Sequence, residues 1–129
     1  AEVEMKLDSK SLGKLKDVHP DLRLLVIECA RITPVYFIVT EGPRTLARQK
    51  QLVAAGASRT LNSRHLTGHA VDLAALVGGE IRWDWPLYHQ IAAAMKMAAV
   101  DLCLPIEWGG DWRTFKDGPH FQLPRKGYP

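Results

Sequence analysis

The stretch HAVDLAALV, residues 69–77, is apolar except at His69 and Asp72 and runs directly into Gly78-Gly79. So short and apolar a run reads as a strand, with the glycines as a hairpin turn and EIRWD as the returning strand. A sheet must bury its apolar face against something, and the chain supplies two helices for this. From Asp21 to Thr33, Leu22, Leu25, Val26, Cys29 and Ile32 recur at helical spacing until Pro34 stops them. A second helix opens at Asp84 and Pro86, with Leu87, Ile91, Ala94, Met95, Ala98 and Leu102 along one face. Between them, VYFIVTEG reads as a strand ended by Gly42-Pro43. Thr45 can cap a helix through LARQKQLVAAG that stops at Gly56, and ASRTLNSRHLTG is polar and irregular. IEWGGDW and PHFQL are the last two predicted strands. Helices and mostly antiparallel strands thus alternate in an α+β layout, predicted as one domain over residues 1–129.

Composition narrows the function. At 129 residues, with 47% hydrophobic and 24% charged side chains, the chain can bury a real core and does not resemble a disordered segment. No stretch approaches the roughly 20 apolar residues of a membrane helix. The charged start AEVEMKLDSK has no signal-peptide apolar region, so neither a membrane span nor a leader is expected. Cys29 and Cys103 both sit in apolar helical patterns, which predicts buried free thiols and synthesis in a reducing cytosol. The formal charge of +3 favours anionic partners only mildly. No basic run interleaved with aromatics appears, and nucleic acid is not expected as a partner.

The chemistry is concentrated in SRHLTGHAVDLAA, residues 63–75. With His65 in the loop and Asp72 on the following strand, a turn at Thr67-Gly68 can aim both side chains at one point. A cation such as Zn²⁺ accepts imidazole nitrogen and carboxylate oxygen at about 2.0–2.2 Å, and a catalytic site keeps one position for water. The best third ligand is His120 in DGPHFQL: Gly118-Pro119 fixes a turn, and His120 opens an apolar strand where an unpaired imidazole is costly. Asp117, three residues earlier, can take a proton from water without being a ligand. On spacing alone the other reading, polar residues around a turn, stays open. His65 and His69 at i, i+4 would also share a helix face, a known zinc arrangement, but Thr67-Gly68 argues against a helix there. His69 is therefore read as a residue at the edge of the site or on the surface.

SRHLTGHAVD, followed by DGPHFQL some 45 residues on, resembles the paired motif of the zinc peptidases of the D-Ala-D-Ala carboxypeptidase and phage L-alanyl-D-glutamate endopeptidase family. There S-x-H-x-x-G-x-A-x-D precedes a distant D-x-x-H. EGPRT around Arg44 and WGGDW at Trp108 to Trp112 also resemble that family, in the same order. The resemblance implies the family's small α+β domain, one zinc per chain held by His65, Asp72 and His120, and Asp117 as the catalytic base. Arg44 in the family position would hold a substrate carboxylate or stabilise an oxyanion, which suits its planar fork of donors; the alternative is a surface salt bridge. Ser63 either hydrogen-bonds substrate or caps the backbone. Trp108 and Trp112 bracket Gly109-Gly110 and can line the cleft beside the metal, Trp108 being taken as the substrate-binding one, although aromatic residues near a strand end more often pack in the core.

Within that family, the short chain resembles phage lysis enzymes more than exported carboxypeptidases. The implied function is an endolysin cutting the L-Ala-D-Glu bond of peptidoglycan stem peptides. It would act as a monomer that collects in the host cytoplasm and reaches the wall after a separate factor opens the membrane. A D-Ala-D-Ala carboxypeptidase or dipeptidase would use the same zinc site. A non-catalytic wall-binding module could keep the metal for structure alone, but would have no use for Asp117.

Overall fold

The computed structural model describes residues 5–129, so the opening residues of the charged start lie outside the described part. Helix α1 spans Ser9–Leu15 and helix α2 Pro20–Ile32; strand β1, Tyr36–Glu41, follows, then helix α3, Leu46–Ala54. A 3-10 turn over Arg64–Thr67 leads into strand β2, Ala70–Val77, and the short β3, Glu80–Arg82. Helix α4, Trp85–Leu102, precedes strands β4, Glu107–Trp108, and β5, His120–Gln122. The strands form one antiparallel sheet in the order β1-β2-β5-β4, with β3 pairing the far end of β2. This is the α+β layout the pattern predicted.

β2 is central, which explains its near-continuous apolar run: both of its faces are covered. Val71, Leu73 and Ala75 point into the main core with Phe37, Val39 and Phe121. Leu22, Leu25 and Val26 of α2, and Ile91, Met95 and Ala98 of α4, complete that core where the two helices pack together. Side chains alternate along a strand, so Asp72 must face away from this helical layer. Ile32, Leu87 and Leu102, predicted as core, lie at its edge, partly buried.

Three features depart from the sequence reading. Helix α1 escaped it because the segment is polar and short; only Ser11 and Leu15 are buried. IEWGGDW is not one strand, because after Trp108 the chain turns through Gly109–Asp111 in a 3-10 conformation. Cys103 is exposed, where a buried thiol was predicted. It is the C-cap of α4 with φ of 54°, and this left-handed residue turns the chain off the helix before its side chain reaches the core. Cys29 is buried as predicted, and desolvation pushes its thiol up to about 12.

Tyr88 joins the two ends of the fold. Its hydroxyl donates to the Arg82 carbonyl at 2.7 Å and accepts from the Ala75 N–H at 3.0 Å, bridging β3 and β2 from the first turn of α4.

Candidate metal centre and its cleft

The strand register lines up three polar side chains. Glu41 of β1 stands opposite Asp72 of β2, and Asp72 opposite His120 of β5. Directly opposed residues in antiparallel strands have Cβ atoms about 4.5–5.5 Å apart, within reach of one ligand. A bulge between Val39 and Glu41 makes Glu41, and not Thr40, the partner of Asp72. The Ser11 hydroxyl accepts the Val39 N–H at 2.9 Å next to that bulge, which gives the overlooked helix α1 its part in the site.

His65 arrives from the 3-10 turn. Ser63 caps this turn, its hydroxyl accepting the His65 N–H at 3.2 Å, and Gly68 ends it at φ 75°. A side chain at position 68 would be strained in that conformation and would meet the Asp17 carbonyl at 3.0 Å, so the glycine of the motif is required by geometry. The turn brings the ring of His65, 1% exposed, against the end of β2.

Hydrogen bonds on the outer sides of both rings fix their protons. His65 Nδ1 lies 2.8 Å from the Gly42 carbonyl, which can only accept, so Nδ1 carries the proton and Nε2 presents a lone pair. Gln122 donates through Nε2 to the Glu107 carboxylate at 3.0 Å, which orients its amide. Its Oε1 is thereby left to accept from His120 Nε2 at 2.8 Å, and the lone pair of His120 is on Nδ1. Both lone pairs face the same carboxylate oxygen: Asp72 Oδ1 is 3.2 Å from His65 Nε2 and 3.4 Å from His120 Nδ1. Two imidazole lone pairs and a carboxylate oxygen converging in this way repel unless a cation or an added proton stands between them. The ligand atoms lie within 4.8 Å of one another. For bonds of about 2.0–2.1 Å, neighbouring ligands around a tetrahedral ion are about 3.3–3.4 Å apart, so the donor set fits Zn²⁺ in kind and in spacing. Anchoring of the outer ring nitrogens is the usual support of metal-bound histidine.

The electrostatics describe the other case, in which an added proton takes the place of the cation. Burial alone would raise the Asp72 carboxyl, but the imidazoles of His120 and His65 outweigh it and hold Asp72 well below the ordinary carboxylate range. Burial acts to lower His120, but Asp72 against it raises it overall. Asp117 is displaced upward, first by burial and then by the negative charge of Asp72. A carboxyl raised in this way is better suited to taking and returning a proton than an ordinary aspartate. Gly109 holds it in place, because the Asp117 N–H donates to the Gly109 carbonyl at 3.0 Å. A Cβ on Gly109 would come within 2.4 Å of the Asp117 carbonyl.

These groups form one wall of a cleft of about 440 Å³. Asp117, His65, Asp72 and His120 line it together with Trp112, while Ser58, Arg59 and Thr60 line it from the segment before the 3-10 turn. Across the mouth, the Arg59 guanidinium sits 4.7 Å above the ring of Phe115.

Comparison with known proteins places this geometry. A family model described as phage L-alanyl-D-glutamate peptidase matches residues 3–123. The chain belongs to that family. It is 33% identical over 118 residues to the L-alanyl-D-glutamate peptidase of Listeria phage A118, a match covering 92% of this chain but 41% of the relative, well under half of its length. The L-alanyl-D-glutamate peptidase of Escherichia phage T5 is 28% identical over 130 residues, covering 98% of this chain and 94% of the relative. Among solved structures, the L-Ala D-Glu endopeptidase ChiX of Serratia marcescens superposes with a TM-score of 0.91 at 48% identity, covering 98% of this chain and 96% of that one. The chain is thus similar both to phage proteins and to a bacterial one named for the same bond.

Other residues singled out from the sequence fall in less expected places. Trp108 is 4% exposed, its Nε1 donates to the Gly118 carbonyl at 2.7 Å, and it lies in the core; the tryptophan that reaches the cleft is Trp112. Arg44 is no surface salt bridge. It meets both oxygens of Glu41 at 2.6 and 2.5 Å, Gln49 Oε1 at 2.7 Å and Asp72 Oδ2 at 3.4 Å. His69 lies apart from the candidate metal ligands, with Nδ1 2.7 Å from the Thr67 hydroxyl and its ring near those of His19 and Tyr128.

Four positioning residues were not found from sequence. Gln49 is fully buried and ties Arg44 to the Ser58 hydroxyl and the Thr60 carbonyl. Arg64 is buried in the motif itself and donates to the carbonyls of Leu123, Pro124 and Tyr128. Glu41, three residues before Arg44, and Gln122, two residues after His120 on the same strand face, each carried a spacing signal that could have been read.

Proposed function

We propose that the chain is a zinc-dependent peptidoglycan peptidase that hydrolyses the L-Ala-D-Glu bond of stem peptides. The observation that carries this reading is the convergence of His65 Nε2, Asp72 Oδ1 and His120 Nδ1 beside the raised carboxyl of Asp117. Family membership and whole-chain likeness to proteins named for that bond support the choice of substrate. His65, Asp72 and His120 would hold one Zn²⁺ per chain, which when bound supplies Lewis acidity and acidifies water.

The remaining steps belong to side chains of the protein. Asp117 takes the proton of the attacking water and returns it to the amine of the departing D-Glu, so one carboxyl acts first as base and then as acid. Arg44 holds Asp72 and Glu41 in place, and its remaining Nη1 hydrogen is what it can direct to developing negative charge. The Ser63 oxygen is occupied as an acceptor by the turn, which leaves its O–H to donate to a bound peptide. Trp112 and the Ser58–Thr60 segment bound the space the peptide occupies.

The substrate places the activity at the bacterial cell wall, and lysis of a host by a phage is the role we assign. In that role the protein collects in the host cytoplasm, and expressing cells lyse only when a separate factor opens the membrane. The bond is tested by mass spectrometry of digested peptidoglycan. New L-Ala carboxyl ends and D-Glu amino ends, intact glycan and no free D-Ala are expected. Free D-Ala as the main product, with L-Ala-D-Glu bonds uncut, would move the assignment to a carboxypeptidase.

A further inference from the structure

Asp117 has a second face. Behind the turn of residues 117–119 lies a smaller hollow of about 200 Å³, walled by Trp83, Trp85 and Tyr88 and bordered by Lys116. Trp83 is 61% exposed and Trp85 45% exposed. Tryptophan is highly buried on average, so two open rings lining one hollow at the edge of a candidate site suit a ligand. Both are held from behind. The Trp83 ring lies parallel to that of Tyr88, within 5° at 6.2 Å between centroids, and the Tyr88 hydroxyl is fixed between two strands. Trp85 leans on Trp108 and His89 and covers Gly118, where an added Cβ would come within 3.3 Å of its ring.

The chemistry of the hollow selects a neutral ligand with an apolar face and a polar rim. Lys116, which donates to the Trp112 carbonyl at 2.7 Å, and Asp117 border the hollow together, so a basic and an acidic side chain offset one another and favour neither an anion nor a cation. The two indole faces provide broad apolar surface of negative quadrupole, which suits the C–H face of a pyranose ring. About 200 Å³ is the space of roughly seven waters and comparable to one sugar unit. The substrate proposed above puts a sugar at this distance. In peptidoglycan the L-Ala amino group is joined to the sugar through a lactyl group, so one residue and one short linker, each spanning at most about 3.6 Å, separate the sugar ring from the L-Ala-D-Glu bond. A sugar must therefore lie close to Asp117, and the hollow shares Asp117 with the cleft.

We propose that Trp83 and Trp85 form a saccharide platform that seats the sugar bearing the stem peptide. It rests on the proposed function, and two substrates separate the two claims: a stem peptide still attached to glycan, and the same peptide free, with its L-Ala amino group acetylated. Hydrolysis of the free peptide tests the peptidase reading alone. For the platform, Trp83→Ala should lower kcat/KM on the glycan-linked substrate by roughly 3- to 10-fold, while changing the free peptide by less than about 2-fold. Trp83→Phe should recover most of the loss. An N-acetylglucosamine oligomer without peptide should change the tryptophan fluorescence of the wild type and not of Trp83→Ala. Equal losses on both substrates, or no loss on the glycan-linked one, would overturn the platform. So would a concentration-dependent dimer that Trp83→Ala abolishes, since a second copy would then cover the rings.

Discussion

The two walls of the cleft are built differently. On the metal side each candidate ligand is held by a hydrogen bond on its outer side, Gly42 behind His65, Arg44 behind Asp72 and Gln122 behind His120, and by its backbone, the strand register for Asp72 and His120 and the 3-10 turn for His65. On the opposite side, residues 57–62 have no helix or strand, and Gln49 anchors them through Ser58 and Thr60. The mouth on that side is spanned by Arg59 resting on Phe115, an exposed residue at φ 50°. Rigid elements place the chemistry, where a misplacement of about 1 Å is costly. The irregular wall is the side on which the proposed substrate would be accommodated, where adaptation costs little.

If that division holds, substitutions on the metal side reach the metal and the chemistry, and those on the loop side do not. The largest effect expected is from His120→Ala, with His65→Ala and Asp72→Ala beside it. Metal should fall from about one per chain to near none, with hydrolysis lost. Chelation of the wild type should do the same, with recovery on added zinc. His69→Ala should leave the metal bound, since that ring lies elsewhere. A chelated protein cutting wall peptide at full rate would break the comparison at its root.

Next comes Asp117→Ala, which should keep metal and fold but lower kcat by at least roughly 10²-fold. The pH profile gives a separate check. Asp117 acts only when deprotonated, and burial with the nearby Asp72 raises its pKa, so in the wild type the rate should fall as pH drops through a carboxyl titration. That acid limb should be missing from the residual rate of the variant.

How much of this could be read from the sequence follows the same division. His65, Asp72, His120 and Asp117 were legible because two short segments carry them at spacings that metal and proton chemistry restrict. The central strand was legible because burial on both faces leaves an unbroken apolar run. Gln49 was not, because its role depends on a segment nine to eleven residues away that has no periodicity. Glu107 was not, because only the pairing of β4 with β5 brings it to Gln122. Trp108 was placed in the cleft because WGGDW gives no sign of which tryptophan turns inward. The 3-10 turn at Gly109–Asp111 decides that, sending Trp108 to the core and Trp112 outward. Cys103 was misplaced by extending a helical period one residue past the end of the helix.

Gln122→Ala measures how far the metal side depends on its outer hydrogen bonds. It removes the acceptor that fixes the His120 tautomer without touching a ligand, and it releases Glu107. Metal affinity should drop about 10- to 100-fold, with turnover recovering at saturating zinc. Unchanged affinity would mean that strand register alone orients His120.

The smallest expected effect tests the loop side. Arg59 hydrogen-bonds to nothing among the described contacts and stacks on Phe115 at the cleft mouth, while Arg64, and Arg44 apart from one Nη1 hydrogen, direct their donors into the protein. A glutamyl residue inside a peptide uses one carboxyl in the chain and keeps the other free, so the leaving side of the scissile bond carries a negative charge that Arg59 can meet. Arg59→Ala should remove a stacking contact of about 0.5–1 kcal/mol, an exposed pair being worth no more. It should raise KM a few-fold and leave kcat and metal affinity as they were. Amidating the glutamyl carboxyl of the substrate should raise KM for the wild type and not further for Arg59→Ala. A fall in kcat or in bound metal would show that the two walls are coupled, with Gln49 as the physical link, since it hydrogen-bonds to Arg44 on one side and to Thr60, next to Arg59, on the other.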